Sequence, residues 1–186
     1  MLHRSLTSRD HPPPPGVTLV EGGAQVCVYA GHADGLDVCL FEPGDTRGES
    51  ERRVPLTDRI HGYWFGFVPG MGLGQRYGLR ASGPWSPHDG LRYNPAKLLL
   101  DPYARAIEGE VTWVPDVYGH RTSSDLRPED LYAVDDRNSA AYLPRGVVVD
   151  ERFDWGGDRA PARAMSESVI YETHVRNLTM RLPGVP

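Results

Sequence analysis

The sequence predicts an all-β chain, and three observations carry that expectation. Between Val17 and Gly83 short apolar runs alternate with period two. Gly/Pro/Asn/Asp turn signals separate them at close intervals. The 21 glycines and 17 prolines favour short strands and turns over long helices. Together they describe an immunoglobulin-like antiparallel β-sandwich; the Cys…Trp…Cys signature of antibody domains is absent, so only the architecture is expected.

Residues 1–16 read as a proline-rich tail ending in Pro12-Pro13-Pro14-Pro15, a stiff polyproline II lead-in. A ligand for a proline-reading domain is the competing reading. The sandwich is expected over 17–85. Val17-Thr18-Leu19-Val20 is followed by a Gly22-Gly23 turn, and Ala24 to Ala30 alternates with Val26 and Val28 on one face. Leu36 to Phe41 places Leu36, Val38 and Leu40 inward and Asp37 outward. Arg53-Val54-Pro55-Leu56 is short and holds a proline, which suits an edge strand. Tyr63 to Val68 is apolar and closes on Pro69-Gly70, with Trp64 expected in the core. The Gly70-Met71-Gly72-Leu73-Gly74 run leads into no helix and is expected to turn a hairpin rather than cradle phosphate. In the last strand Tyr77, Leu79 and Ala81 point in, and Arg76 and Arg80 point out.

Residues 86–165 form a loop-rich connector. Pro95 to Leu100 is helical, capped by Asn94, or simply extended. Ser124 to Ala133 is expected to hold another helical turn, and Gly146 to Asp150 a strand. Trp113, Tyr118, Trp155 and Tyr103 are anchors that a disordered linker would lack. Residues 166–186 begin a further domain: Ser168-Val169-Ile170-Tyr171-Glu172-Thr173-His174-Val175-Arg176 reads as a buried strand without a partner. Its β-branched core is expected to fray into solvent or add to a foreign sheet edge.

The net charge is −5, and Lys97 is the only lysine in a chain whose other basic residues are arginine. Acids exceed bases and no basic stripe exists, which argues against nucleic acid as a partner. No apolar run is long enough for a bilayer, and Met1 to Asp10 lacks a signal-peptide core, so a cytoplasmic protein is expected. Cys27 and Cys39 lie on neighbouring strand candidates; a cross-strand bridge is conceivable, and free thiols are the simpler expectation.

Candidate acids are Glu108/Glu110, Asp135/Asp136, Asp150/Glu151/Asp154/Asp158 and Glu172. Glycoside hydrolysis needs two carboxyls facing each other, one with a raised pKa, and adjacent loop acids are normally solvated. No catalytic residue is therefore assigned. The seven histidines show no ligand spacing, so neither a metal nor a cofactor is expected; His174 reads as a hydrogen-bonded core residue. Aromatic rings remain. A flat ring stacks on the C–H face of a sugar, and Trp85, just past the last sandwich strand, is the candidate carbohydrate-binding residue. Anchoring the following segment is its competing role.

The run Pro69 to Arg80, then Gly83-Pro84-Trp85, then Arg92-Tyr93-Asn94-Pro95-Ala96-Lys97-Leu98-Leu99-Leu100-Asp101-Pro102-Tyr103-Ala104, resembles the N-terminal part of bacterial glycogen debranching enzymes of the isoamylase type. Val147 to Asp150, Phe153-Asp154-Trp155 and Val169 to Val175 fit the same pattern, the last resembling the first strand of the α-amylase family barrel. The resemblance implies a family 48 carbohydrate-binding module leading into a (β/α)8 barrel that hydrolyses α-1,6 branch linkages. On that basis the final segment is one orphan strand of an incomplete barrel, and the chain is an N-terminal fragment, inactive alone. Its implied partners are an α-glucan such as glycogen and, by intramolecular docking, the absent catalytic domain. Glycogen-binding relatives carry a second tryptophan earlier in the module; the loop Glu42 to Ser50 has none, which shifts weight toward docking. A freestanding glycan- or protein-binding module is the alternative, and an enzyme using its own loop-borne acids is a third reading.

Overall fold

A computed structural model describes residues 11–184, so the reading of Met1 to Asp10 lies outside the described residues. The chain divides into two units, one running to Asp150 and one from Glu151.

In the first unit, β1 (Gly16–Val20), β2 (Gly23–Tyr29), β3 (Gly35–Phe41), β4 (Arg52–Pro55), β5 (Asp58–Ile60), β6 (Tyr63–Pro69) and β7 (Arg76–Ser82) follow the expected order. β5 was not foreseen; it is three residues long and only one of them is even half-buried. Two antiparallel sheets result, one ordered β1-β2-β6-β5 and the other containing β7-β3-β4, with β4 at the edge. Between them lies the core: Ala24, Val26, Val28 and Val68 from the first sheet meet Leu36, Val38, Leu40, Tyr77, Leu79 and Ala81 from the second. Trp64 is half-buried against this core, and its indole N–H donates to the Ala30 carbonyl at 3.1 Å. Pro13 of the lead-in is buried.

Three expectations about the sandwich are corrected. The segment Gly70 to Gly74 links β6 to β7, which lie in different sheets, so it is a crossover and not a hairpin. Cys27 on β2 and Cys39 on β3 likewise belong to different sheets, which removes the cross-strand bridge; both are free and buried. Arg80, expected outward in solvent, is 2% exposed. The reason is a second layer. The outward face of the five-stranded sheet, where alternation does place Cys39 and Arg80, is covered by Leu98, Ala140 and Leu143.

That layer is built from the connector. β8 (Trp85–Ser86) and β9 (Leu91–Arg92) form a tight hairpin around a 3-10 turn. Residues 94–97 then make a turn, closed by the Lys97 N–H donating to the Asn94 carbonyl at 3.0 Å, and beyond it Leu79 and Leu99 exchange both backbone hydrogen bonds at 2.8 Å. Gly78 makes this approach possible: a Cβ there would sit 2.8 Å from Leu98 and 3.1 Å from the Leu99 carbonyl. β10 (Ala106–Glu108) follows. β11 (His120–Thr122) and β12 (Pro128–Val134) form a separate ribbon, where a helical turn was expected over Ser124 to Ala133. Backbone pairing with β11 satisfies this stretch instead. β13 (Arg145–Val147) lies between β10 and β7 and completes the order β10-β13-β7-β3-β4.

In the second unit the strand expected over Ser168 to Arg176 is not formed. Among the described residues no ladder includes it, and a strand without a ladder leaves its backbone groups to water. Val169, Ile170 and Tyr171 are 97%, 78% and 79% exposed. The chain instead enters a short helix, α1 (Val175–Thr179), and His174, expected in a core, is exposed and caps it by accepting the Asn177 N–H at 3.3 Å.

Candidate functional site

The asparagine-proline-alanine-lysine segment and the residues after it read, in the structure, as a set of ties. The Asn94 amide donates to the carbonyls of Asp135 at 2.8 Å and Gly119 at 3.2 Å, while its oxygen accepts the Ala96 N–H. The Lys97 ammonium donates to the carbonyls of Asp116 and Arg137, both at 2.8 Å, and to the Asp135 carboxylate at 3.0 Å. The Leu98 N–H reaches the Ser139 hydroxyl at 2.8 Å. Asp101 accepts from the buried Tyr77 hydroxyl at 2.7 Å and from the Tyr103 N–H. These buried polar groups are satisfied by one another and fix residues 115–119 and 135–139 in place.

Above this floor lies a groove of about 530 Å³, bordered by Trp85, His32, Leu91, Tyr93, Val117 and His120. Trp85 opens β8 at the corner after β7. Its indole N–H donates to the Tyr132 carbonyl at 2.7 Å, and its ring lies against Gly119, where a Cβ would come within 3.3 Å. The ring is half-buried. One edge of the indole is thus held, the anchoring role weighed for it, while the side chain also borders the groove. The floor lysine is neutralised internally by Asp135, and the walls combine aromatic and aliphatic side chains with two imidazoles, the Asn94 amide and the exposed Arg92 guanidinium. Such a mixture suits a neutral ligand with apolar faces and hydroxyl rims.

The candidate acids do not converge on a site. Glu108 is exposed and paired with Arg76 at 2.7 Å, and that hydrogen bond holds its carboxyl below the usual range. Asp135 is buried beside Lys97 and Arg137. Burial pushes its pKa up, but hydrogen bonds from Arg137 and Lys97 outweigh it and hold the carboxyl well below the ordinary value. A general acid needs the opposite shift. Glu110, Asp136, Asp150, Glu151, Asp154, Asp158 and Glu172 are exposed. Burial, with the Asp101 charge, pushes the Cys27 thiol up to about 11; burial, with the Glu51 charge, pushes Cys39 up to about 12, so neither is an activated nucleophile. Among the described residues no group of three or more His, Cys, Asp or Glu is placed to hold a metal ion, and no helix is long and apolar enough to cross a membrane.

Sequence reasoning singled out Trp85 and gave a binding role to none of the other residues that border the groove. His32 and Tyr93 lie on turns with no periodic signal, and Val117, Gly119 and His120 come from the connector. The one available hint was the solitary lysine, whose compact ammonium donates in three directions where a planar guanidinium would not.

The chain is 41% identical over 176 residues to the glycogen debranching enzyme of Cronobacter sakazakii, covering 95% of this chain and 24% of that protein. It is 42% identical over 164 residues to the glycogen debranching enzyme of Serratia proteamaculans, covering 88% of this chain and 23% of that one. It thus spans about a quarter of the length of the curated relatives it matches. Among solved structures, the pullulanase of Bacillus acidopullulyticus aligns with 81% of this chain and 14% of its own at 16% identity and a TM-score of 0.47. Residues 14–104, which hold the sandwich strands, the β8–β9 hairpin and Lys97, match the carbohydrate-binding module 48, or isoamylase N-terminal domain.

Proposed function

We propose that this chain is the glucan-binding and docking region of a cytoplasmic glycogen debranching enzyme of the isoamylase type, and that it is inactive by itself. The observation that carries the reading is identity to glycogen debranching enzymes sustained along nearly the whole chain. The groove beside Trp85 gives it a physical basis: a half-buried ring held by a hydrogen bond, with imidazole and amide groups around it, fits one apolar sugar face and its hydroxyls. The parent hydrolase would cleave α-1,6 branch linkages with acids supplied by a catalytic barrel docked to this region. Inactivity of the isolated chain is supported by two of its candidate acids: Glu108 is held by Arg76 and Asp135 by Arg137 and Lys97, which lowers both carboxyls where a glycosidase's general acid needs a raised one.

Co-sedimentation with glycogen tests the binding claim. The full chain is expected to pellet with glycogen and Trp85→Ala to remain largely in the supernatant, with thermal unfolding confirming that the variant is folded. Equal pelleting of both proteins would remove Trp85 from the site. Release of reducing ends from branched glucan by the purified chain would overturn the claim of inactivity.

A further inference from the structure

From His120, at the border of the groove, a chain of aromatic contacts leads on. The Tyr118 ring stands 5.7 Å from the His120 ring, and the Trp113 ring stands 6.3 Å from Tyr118 at 42°. Trp113 is 65% exposed. These rings lie outside residues 14–104, on a segment whose backbone is nevertheless fixed. The Thr112 N–H donates to the Tyr142 carbonyl at 2.9 Å, a 3-10 turn spans Pro115–Val117, and Lys97 grips the Asp116 carbonyl from below. An exposed tryptophan on a fixed loop gives up little freedom on binding and offers a ready platform.

We propose that Tyr118 and Trp113 extend the Trp85 groove into an aromatic track for a linear α-1,4-glucan chain, so that binding strengthens with chain length. The occupant is argued from the chemistry along the path. The rings succeed one another at steps that bring more than one sugar face into reach, which a single-ring site does not. Of the charges beside the track, Asp116 pairs with Arg137 at 3.4 Å and Lys97 with Asp135 at 3.0 Å, while Arg92 borders the groove exposed, its guanidinium donors open to hydroxyl acceptors. A neutral, hydroxyl-rich polymer suits such a surface, because the paired charges need no new counter-ion and Arg92 can donate to hydroxyl oxygens. This inference rests on the glucan-binding reading above and adds to it the preferred form of the ligand and residues from outside the matched module.

Calorimetric titration of the full chain with maltotriose and maltoheptaose tests it. Trp113→Ala is expected to weaken maltoheptaose binding roughly tenfold, about the worth of one stacked ring, and to change maltotriose binding less than about twofold. Trp85→Ala should weaken both. In ¹⁵N spectra of the unmutated chain, the Trp113 indole resonance should move with maltoheptaose and stay put with maltotriose. A Trp113→Ala chain that binds both sugars like its parent overturns the track, leaving the exposed rings to a protein contact, while the Trp85 site stands. Equal loss for both sugars also overturns it. A parent chain that binds neither sugar brings down the glucan-binding reading itself.

Discussion

Glu51→Ala is expected to destabilise the first unit by about 3–5 kcal/mol, the typical loss when one partner of a buried ion pair is removed. Arg80 sits on the outward face of β7 with 1% of its side chain exposed. Glu51 accepts from its Nε at 2.7 Å and from its Nη2 at 2.5 Å, a two-point contact, and also accepts from Arg53 at 2.6 Å. The remaining Arg80 donors reach the Pro95 carbonyl at 3.0 Å and the Asn138 side chain at 2.7 Å. Without Glu51 a guanidinium remains buried with carbonyl and amide oxygens but no counter-charge. Replacing both partners, Glu51→Leu with Arg80→Met, should recover much of the loss, because two apolar groups need no counter-charge. Urea unfolding of the two variants decides. A loss below about 1 kcal/mol for Glu51→Ala would mean that water reaches Arg80.

Lys97→Met is the second large effect, about 3 kcal/mol or more. The ammonium serves two carbonyls and a carboxylate, all in a region where Lys97 and Asp135 side chains are 6% and 5% exposed. Methionine fills the stem but leaves those acceptors short of donors. Arg137, which donates to both Asp135 oxygens, limits the damage at the carboxylate. The loss should be local as well as global: hydrogen exchange is expected to quicken at 115–119, which include the groove residues Val117 and Gly119, and at 135–137 before it does in β2 or β3. A uniform change across the sandwich would contradict the assigned role.

The same groups set the response to acid. Burial raises the pKa of Glu51 and of Asp135, but Arg80 and Arg53, and Arg137 and Lys97, more than reverse it, so both carboxyls are lowered in the folded chain. A lowered folded value means that the stabilisation is complete above the unfolded-chain values, about 3.9 for Asp and 4.3 for Glu, and drains away as pH falls through the folded values. Stability is therefore expected to decline below about pH 4. Glu51→Ala should show a shallower decline over that window than the parent chain.

The sandwich was legible because its strands bury one face each, and a period of two survives in the residue pattern. Val26, Val28, Leu36, Val38, Leu40, Tyr77, Leu79 and Ala81 fall inside as the alternation requires. Arg80 shows where that logic stops. Alternation says which face a residue takes, and it says nothing about a second layer laid over that face by residues 94–101 and 138–143. β12 was misread for a related reason: Pro128-Glu129-Asp130-Leu131-Tyr132-Ala133-Val134 has mostly exposed side chains, so no buried face writes its period into the sequence. In the groove, Trp85 was singled out because a tryptophan just past a strand stands out in the sequence, whereas its bond to Tyr132 does not. Gly119 and Val117 were not singled out, since a glycine that makes room for an indole looks like any other loop glycine.

The ties from Lys97 and Arg80 reach Asp116, Asp135, Arg137 and Asn138, all beyond residue 104 where the family match ends. A homology boundary is therefore not a cutting line here. Anyone transplanting this region as a fusion tag or affinity handle should carry the polypeptide through Asp150, because trimming at 104 would strip away every acceptor of the interior Lys97 ammonium and one of those that hold Arg80.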